Sequence, residues 1–283
     1  IISDWQRNFQ TQIGKNHAKY FDKEGWLYFT KESFDLLYPS YGDTYPTYMG
    51  AIGMTYEQAG HGRAGLGIQT DEGEILTLKD RAIHHMTTGL STVEISSNNA
   101  EKLNIEFKKF FNNSKLKYKS YVLINENDDK TNRLKSLLDK HEIKYENAKG
   151  GAVKGYIYNT QKEGKMNVSS SDLVIHTSQP KGKMVKALFE PKAKLADSLT
   201  YDITAWSLPY AHGFKAIASA TKVSSSTNNN QVKNTSNSIN KNGYAYISNW
   251  NSLEDATFLG ALLQADITPR FSEKPFSVEG KSY

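Results

Sequence analysis

The chain has 283 residues, with 35 basic and 30 acidic side chains, 12% aromatic residues and no cysteine. At 38% hydrophobic residues it can bury a core, its length suits one large or two ordinary domains, and the lack of cysteine excludes thiol chemistry of every kind. A net charge of +5 without a dense basic stripe argues against a nucleic-acid binder, and no apolar run approaches the roughly 20 residues that span a bilayer.

Helical spacing of Trp5, Phe9, Ile13 and His17 predicts a first helix from Asp4 to about Tyr20. A turn at Asp22–Gly25 leads to a short aromatic strand, Trp26–Phe29, and Thr30 is the expected N-cap of a short helix ending at Tyr38. Residues 38–48, YPSYGDTYPTY, suit an ordered loop lined with aromatic rings. The small residues of Gly50–Glu57 predict a strand packed closely on both faces, followed by a glycine-rich loop through Gly67. From Thr77, a plausible cap, Leu78, Ala82, Met86, Leu90 and Val93 form one apolar helical stripe. A second helix covers Ala100–Phe111, and Asn112-Asn113-Ser114 is a natural stop.

The chain divides near residue 117. Beyond it, strand Tyr121–Ile124, helix Thr131–Lys140 and return strand Ile143–Tyr145 give a β-α-β pattern. Further strands are expected at Gly155–Tyr158, Leu173–Thr177, Lys215–Ala218 and Tyr244–Ser248, with helices at Gly182–Phe189 and Leu253–Ala265. Strands alternating with helices predict an α/β fold with a mostly parallel sheet. Residues 224–242 are mostly Ser, Thr and Asn and read as a long mobile loop.

Few motifs carry chemistry. Gly60–Gly65, GHGRAG, matches the spacing of a dinucleotide fingerprint, but the chain continues GLGIQTDEG and starts no helix there, so a loop is the better reading. None of the seven histidines opens an H-x-x-E pair, and His84-His85 are neighbours on a helix, better read as structural or surface groups. No G-x-S-x-G elbow is present, and SQPKG at Ser178–Gly182 suits a solvated loop as well as an anion site. Glu57 falls at the end of the predicted strand, between a tyrosine-rich and a glycine-rich loop. A carboxylate there is either where an α/β sheet places its chemistry or a surface glutamate at a strand end.

The stretch Tyr38–Gly60, YPSYGDTYPTYMGAIGMTYEQAG, resembles the last catalytic segment of zinc carboxypeptidases related to carboxypeptidase A, in a bacterial subfamily. In that family a tyrosine-bearing loop precedes a strand ending in Thr-x-Glu, matched here by Thr55-Tyr56-Glu57. The resemblance implies that Glu57 is the general base, that Thr55 lies near the specificity pocket, and that Tyr38 or Tyr41 is the mobile tyrosine that closes over substrate. Residues 1–117 would then be the C-terminal part of the catalytic domain. Residues 118–283 resemble a class I glutamine amidotransferase-like, flavodoxin-like accessory domain, through TSQPKGKMVKALFEP (177–191) and YDITAWSLPYAHGF (201–214). Without cysteine the amidotransferase chemistry is absent.

The family holds zinc through an H-x-x-E pair and a distant histidine, all upstream of Thr-x-Glu. Only 56 residues precede Glu57 and they lack that pair; Arg7, the sole arginine among them, matches no carboxylate-binding motif. The resemblance therefore implies zinc in the intact enzyme but no metal ligands in this chain, which alone is expected to be inactive. The implied partners are a peptide or protein substrate and the N-terminal half of the peptidase domain, with no nucleic acid and no membrane span, and the implied location is secreted or periplasmic. With no signal peptide and Ile1 in place of methionine, the sequence is expected to begin inside a longer gene product. One alternative is a non-catalytic pseudo-peptidase that binds peptide or cell-wall material. Another is a flavodoxin-like small-molecule binder using the sheet end near Asn125–Asp128, which lacks a phosphate-cradling glycine loop.

Overall fold

The structure, a computed structural model, describes residues 1–30, 36–58, 66–193, 207–227 and 242–282. Helix α1 spans Asp4–Glu24, a turn longer than its periodicity suggests, because Phe21 extends the buried face of Phe9 and Ile13. Its start is a reciprocal capping box: Gln6 N donates to Ser3 Oγ at 3.2 Å while Ser3 N donates to Gln6 Oε1 at 2.8 Å. Gly25 closes it in the left-handed region at φ 69°. The short helix α2, Thr44–Tyr48, follows, then an antiparallel hairpin of β1, Gly67–Gln69, and β2, Ile75–Thr77. Helices α3, Leu78–Asn98, and α4, Ala100–Phe110, complete this part.

Several expectations fail here for identifiable reasons. Trp26–Phe29 form no strand, and Leu27 and Phe29 are exposed. Residues 50–58 form none either. A strand needs a neighbour to pair with, and side chains bind this backbone instead. Gln6 Nε2 donates to Thr47 O and Ala51 O, both at 2.8 Å, and Gln10 Nε2 to Gly53 O at 2.7 Å. Gly53 N donates to Thr47 Oγ1 at 2.9 Å.

Helix α3 begins as expected, with Thr77 and Asp80 in a second capping box. Its apolar stripe, however, faces outward: Leu78, Met86, Leu90 and Val93 are each more than half exposed. The polar face turns toward α1 because it finds partners there. Asn16 Nδ2 donates to Ser91 Oγ and to Glu94 Oε2, each at 2.8 Å, and Tyr20 OH donates to Glu94 Oε2 at 2.8 Å.

The chain continues with β3 (Ser120–Leu123), α5 (Asp128–Lys140), β4 (Glu146–Ala148), β5 (Gly151–Ile157), β6 (Lys162–Val168) and β7 (Leu173–His176). Then come α6 (Gly182–Phe189), α7 (Leu208–Ala211), β8 (Ala216–Ser219), β9 (Ser225–Ser226) and α8 (Leu253–Gln264), and a last hairpin of β10 (Ser277–Val278) and β11 (Lys281–Ser282). Seven strands form one sheet in the order β6-β5-β8-β3-β7-β4-β9.

The fold is mixed α/β, but the sheet is antiparallel and not mostly parallel. Strands β5 and β6 pair antiparallel, and β4 runs antiparallel to both β7 and β9. The ends of β3 report its direction. Lys119 N bonds Ser219 O, Thr177 N bonds Lys119 O, and Ile124 N bonds Lys215 O, so β3 opposes β7 and β8. Strands β3 and β4 consequently do run the same way, as a β-α-β reading requires, but β7 enters between them with the opposite sense. Periodicity reports which segments are strands and not which strand inserts between two others. The return strand lies at Glu146–Ala148 and not Ile143–Tyr145, β6 was not foreseen, and Tyr244–Ser248 form no strand.

Two compact units divide the chain. The first comprises 1–121, 176–213 and 218–222, and the second 122–175, 214–217 and 223–283. In the second, Val122, Val153, Val174, Ile217 and Val223 form an aliphatic core, and buried Asp172 ties two turns together by accepting from Ser169 N at 2.7 Å and Asn125 N at 2.9 Å. The helix expected at Thr30–Tyr38 falls largely, and GHGRAG wholly, outside the described residues. So does most of the 224–242 loop, whose start carries β9.

Candidate functional site

The first unit contains a cleft of about 1630 Å³. Helix α1 contributes Arg7, Gln10, His17 and Phe21, and α3 contributes Asp80, His84, His85 and Thr88. Trp26 and the segment Thr55–Gln58 line it as well. The capping boxes set where both helices begin, and the Gln6 and Gln10 bonds hold the irregular segment against α1. Gly53 has no room for a side chain, since a Cβ would lie 1.8 Å from Asp43 O.

Of the residues singled out from sequence, Thr55 and Glu57 come together in this cleft. Thr55 Oγ1 donates to Asp43 Oδ2 at 2.6 Å, which ties it to the turn before α2. Glu57 is exposed, so its carboxylate is available to a ligand. Tyr38 and Tyr41 pack on each other edge to face, ring centroids 5.1 Å apart, and are not among the residues lining the cleft.

Sequence reading missed the polar interior between α1 and α3. His84 Nδ1 lies 2.9 Å from Gln58 Oε1, and its ring packs against Trp26 at 4.4 Å and Phe21 at 5.4 Å between centroids. His17 Nδ1 lies 2.9 Å from Ser91 Oγ. Burial lowers the pKa of both histidines below the ordinary value, which favours neutral rings. Hydrogen bonds from Asn16 and then Tyr20 pull the Glu94 carboxyl down, and the same bond raises the Tyr20 phenol. His85, the neighbour of His84, is exposed. A helix register with asparagine, histidine and tyrosine at 16, 17 and 20 facing serine and glutamate at 91 and 94 was the only available signal.

Among the described residues, no three His, Asp or Glu side chains gather as a metal-binding group. Nor is any helix among them long and apolar enough to cross a membrane. Compared with known proteins, the chain matches no family model, no curated protein and no solved structure.

Proposed function

We propose that this chain is the substrate-facing, C-terminal part of a zinc carboxypeptidase-like hydrolase, joined to an accessory sheet. The observation that carries this reading is that Thr55 and Glu57 of the Thr-x-Glu element line one cleft, with Thr55 bonded to Asp43 of the tyrosine-rich segment. A peptide or protein substrate lies in the cleft against the side chains of Thr55 and Arg7. Glu57 is the general base: its carboxylate draws a proton from the attacking water and returns it to the leaving amine. Zinc and its ligands belong to the N-terminal half of the peptidase domain, the second partner of this chain. The location is secreted or periplasmic.

A carboxypeptidase assay of the intact protein on C-terminally varied N-acyl peptides, with metal analysis of the same sample, tests the reading. Release of the C-terminal residue is expected, with zinc at about one per chain. Peptide binding without release, in a zinc-loaded sample, would contradict hydrolysis and leave a pseudo-peptidase that holds peptide or cell-wall material.

A further inference from the structure

We propose that His17 is a ligand-binding group at the base of the cleft, donating a hydrogen bond from Nε2 to a carbonyl or carboxylate oxygen of a bound peptide. The inference rests on the reading of the cleft as a peptide site. His17 lines that cleft, yet Nε2 is buried and has no hydrogen-bond partner among the described residues. A buried donor left unpaired bears its full desolvation cost, which native structures rarely tolerate without a reason.

The bonds around Ser91 decide which ring nitrogen carries the proton. Ser91 Oγ already accepts from Asn16 Nδ2 at 2.8 Å. A helical hydroxyl commonly donates to the carbonyl four residues back, as Thr92 does to Thr88 O at 2.8 Å. Ser91 makes no such bond, so its proton points to His17 Nδ1, 2.9 Å away. In a neutral ring the remaining proton is then on Nε2, and burial favours the neutral ring. The free group is a donor, and its complement is an oxygen acceptor.

Tyr56 controls access. Its ring stands at 89° to the His17 ring with centroids 4.8 Å apart, its hydroxyl bonded to Thr92 Oγ1 at 2.8 Å and to Met54 Sδ at 3.9 Å. The backbone on either side of Tyr56 belongs to no ladder. Turning this ring aside opens Nε2 to a ligand entering beside Glu57.

The test is a long-range proton–nitrogen correlation spectrum of the full chain with ring-labelled histidine, the His17 signals being assigned with His17→Gln. The free protein should show the Nε2–H tautomer at His17; the Nδ1–H tautomer would overturn the proposal. Acetyl-Gly-Gly-Phe and its C-terminal amide are then titrated. A saturable shift of the His17 signals with both peptides identifies a carbonyl acceptor, and with the acid alone a carboxylate. His17→Gln should weaken peptide binding tenfold or more. If the peptides bind but leave the His17 signals unmoved, His17 is no ligand group, its N–H being spent on the Tyr56 ring, and the cleft reading survives. If neither peptide binds yet acetate shifts the signals saturably, the His17 assignment stands and the peptide reading falls. No shift with any of the three overturns the proposal.

Discussion

At the scale of single residues, the site depends on side chains that replace a missing ladder. Gln6 is almost fully buried and donates to two carbonyls of the segment leading to Thr55. Removing it leaves two acceptors without their donor, so Gln6→Ala should lower stability by about 1–3 kcal/mol, read as an earlier urea midpoint. Gly53→Ala should cost about as much, because the added Cβ would also lie 2.5 Å from Thr47 Oγ1. Half-buried His17 and buried His84 add a pH dependence of definite sign. Their folded-state pKa values lie below the ordinary 6.5, so the unfolded chain binds more protons as pH falls. Their contribution is intact well above pH 6.5 and shrinks from there down toward the folded values. Urea midpoints should therefore drop between pH 7.5 and 5.5, and the drop should diminish in His84→Gln; an undiminished drop would assign it to other groups.

At the scale of elements, the long helices were legible and their orientation was not, while the short α2 and α7 were missed. The caps at Thr77 and the periodicity of α1 and α3 placed both helices correctly, because capping and helical spacing are local properties. Which face of α3 turns inward depends on what α1 offers, and α1 offers Asn16, His17 and Tyr20. The apolar stripe is thus left outside. Met86→Ala and Leu90→Ala should change stability by less than about 0.5 kcal/mol, as thermal unfolding would show. Losses of about 2–5 kcal/mol, usual for such truncations in a core, would instead put the stripe inside. Strands fared worse, since Gly50–Glu57 has a strand's composition without a strand's neighbour.

At the scale of the whole molecule, the alternation of strands and helices pointed to a mixed α/β chain, and the sheet's sense was lost. β3, α5 and β4 do keep a common strand direction, but the antiparallel entry of β7 beside β4 is a long-range event that no local pattern encodes. Of the candidate site, Thr55 and Glu57 were legible as neighbours in one motif. The histidine, serine and glutamine partners were not, because their pairing is long-range, spanning 74 residues between His17 and Ser91. The role proposed for Glu57 is that of base in a peptide-hydrolysing site. It is tested most directly by the turnover of Glu57→Gln in the intact protein on an N-acyl peptide. A loss of roughly two to four orders of magnitude with metal content unchanged is expected. Near-normal turnover would contradict it.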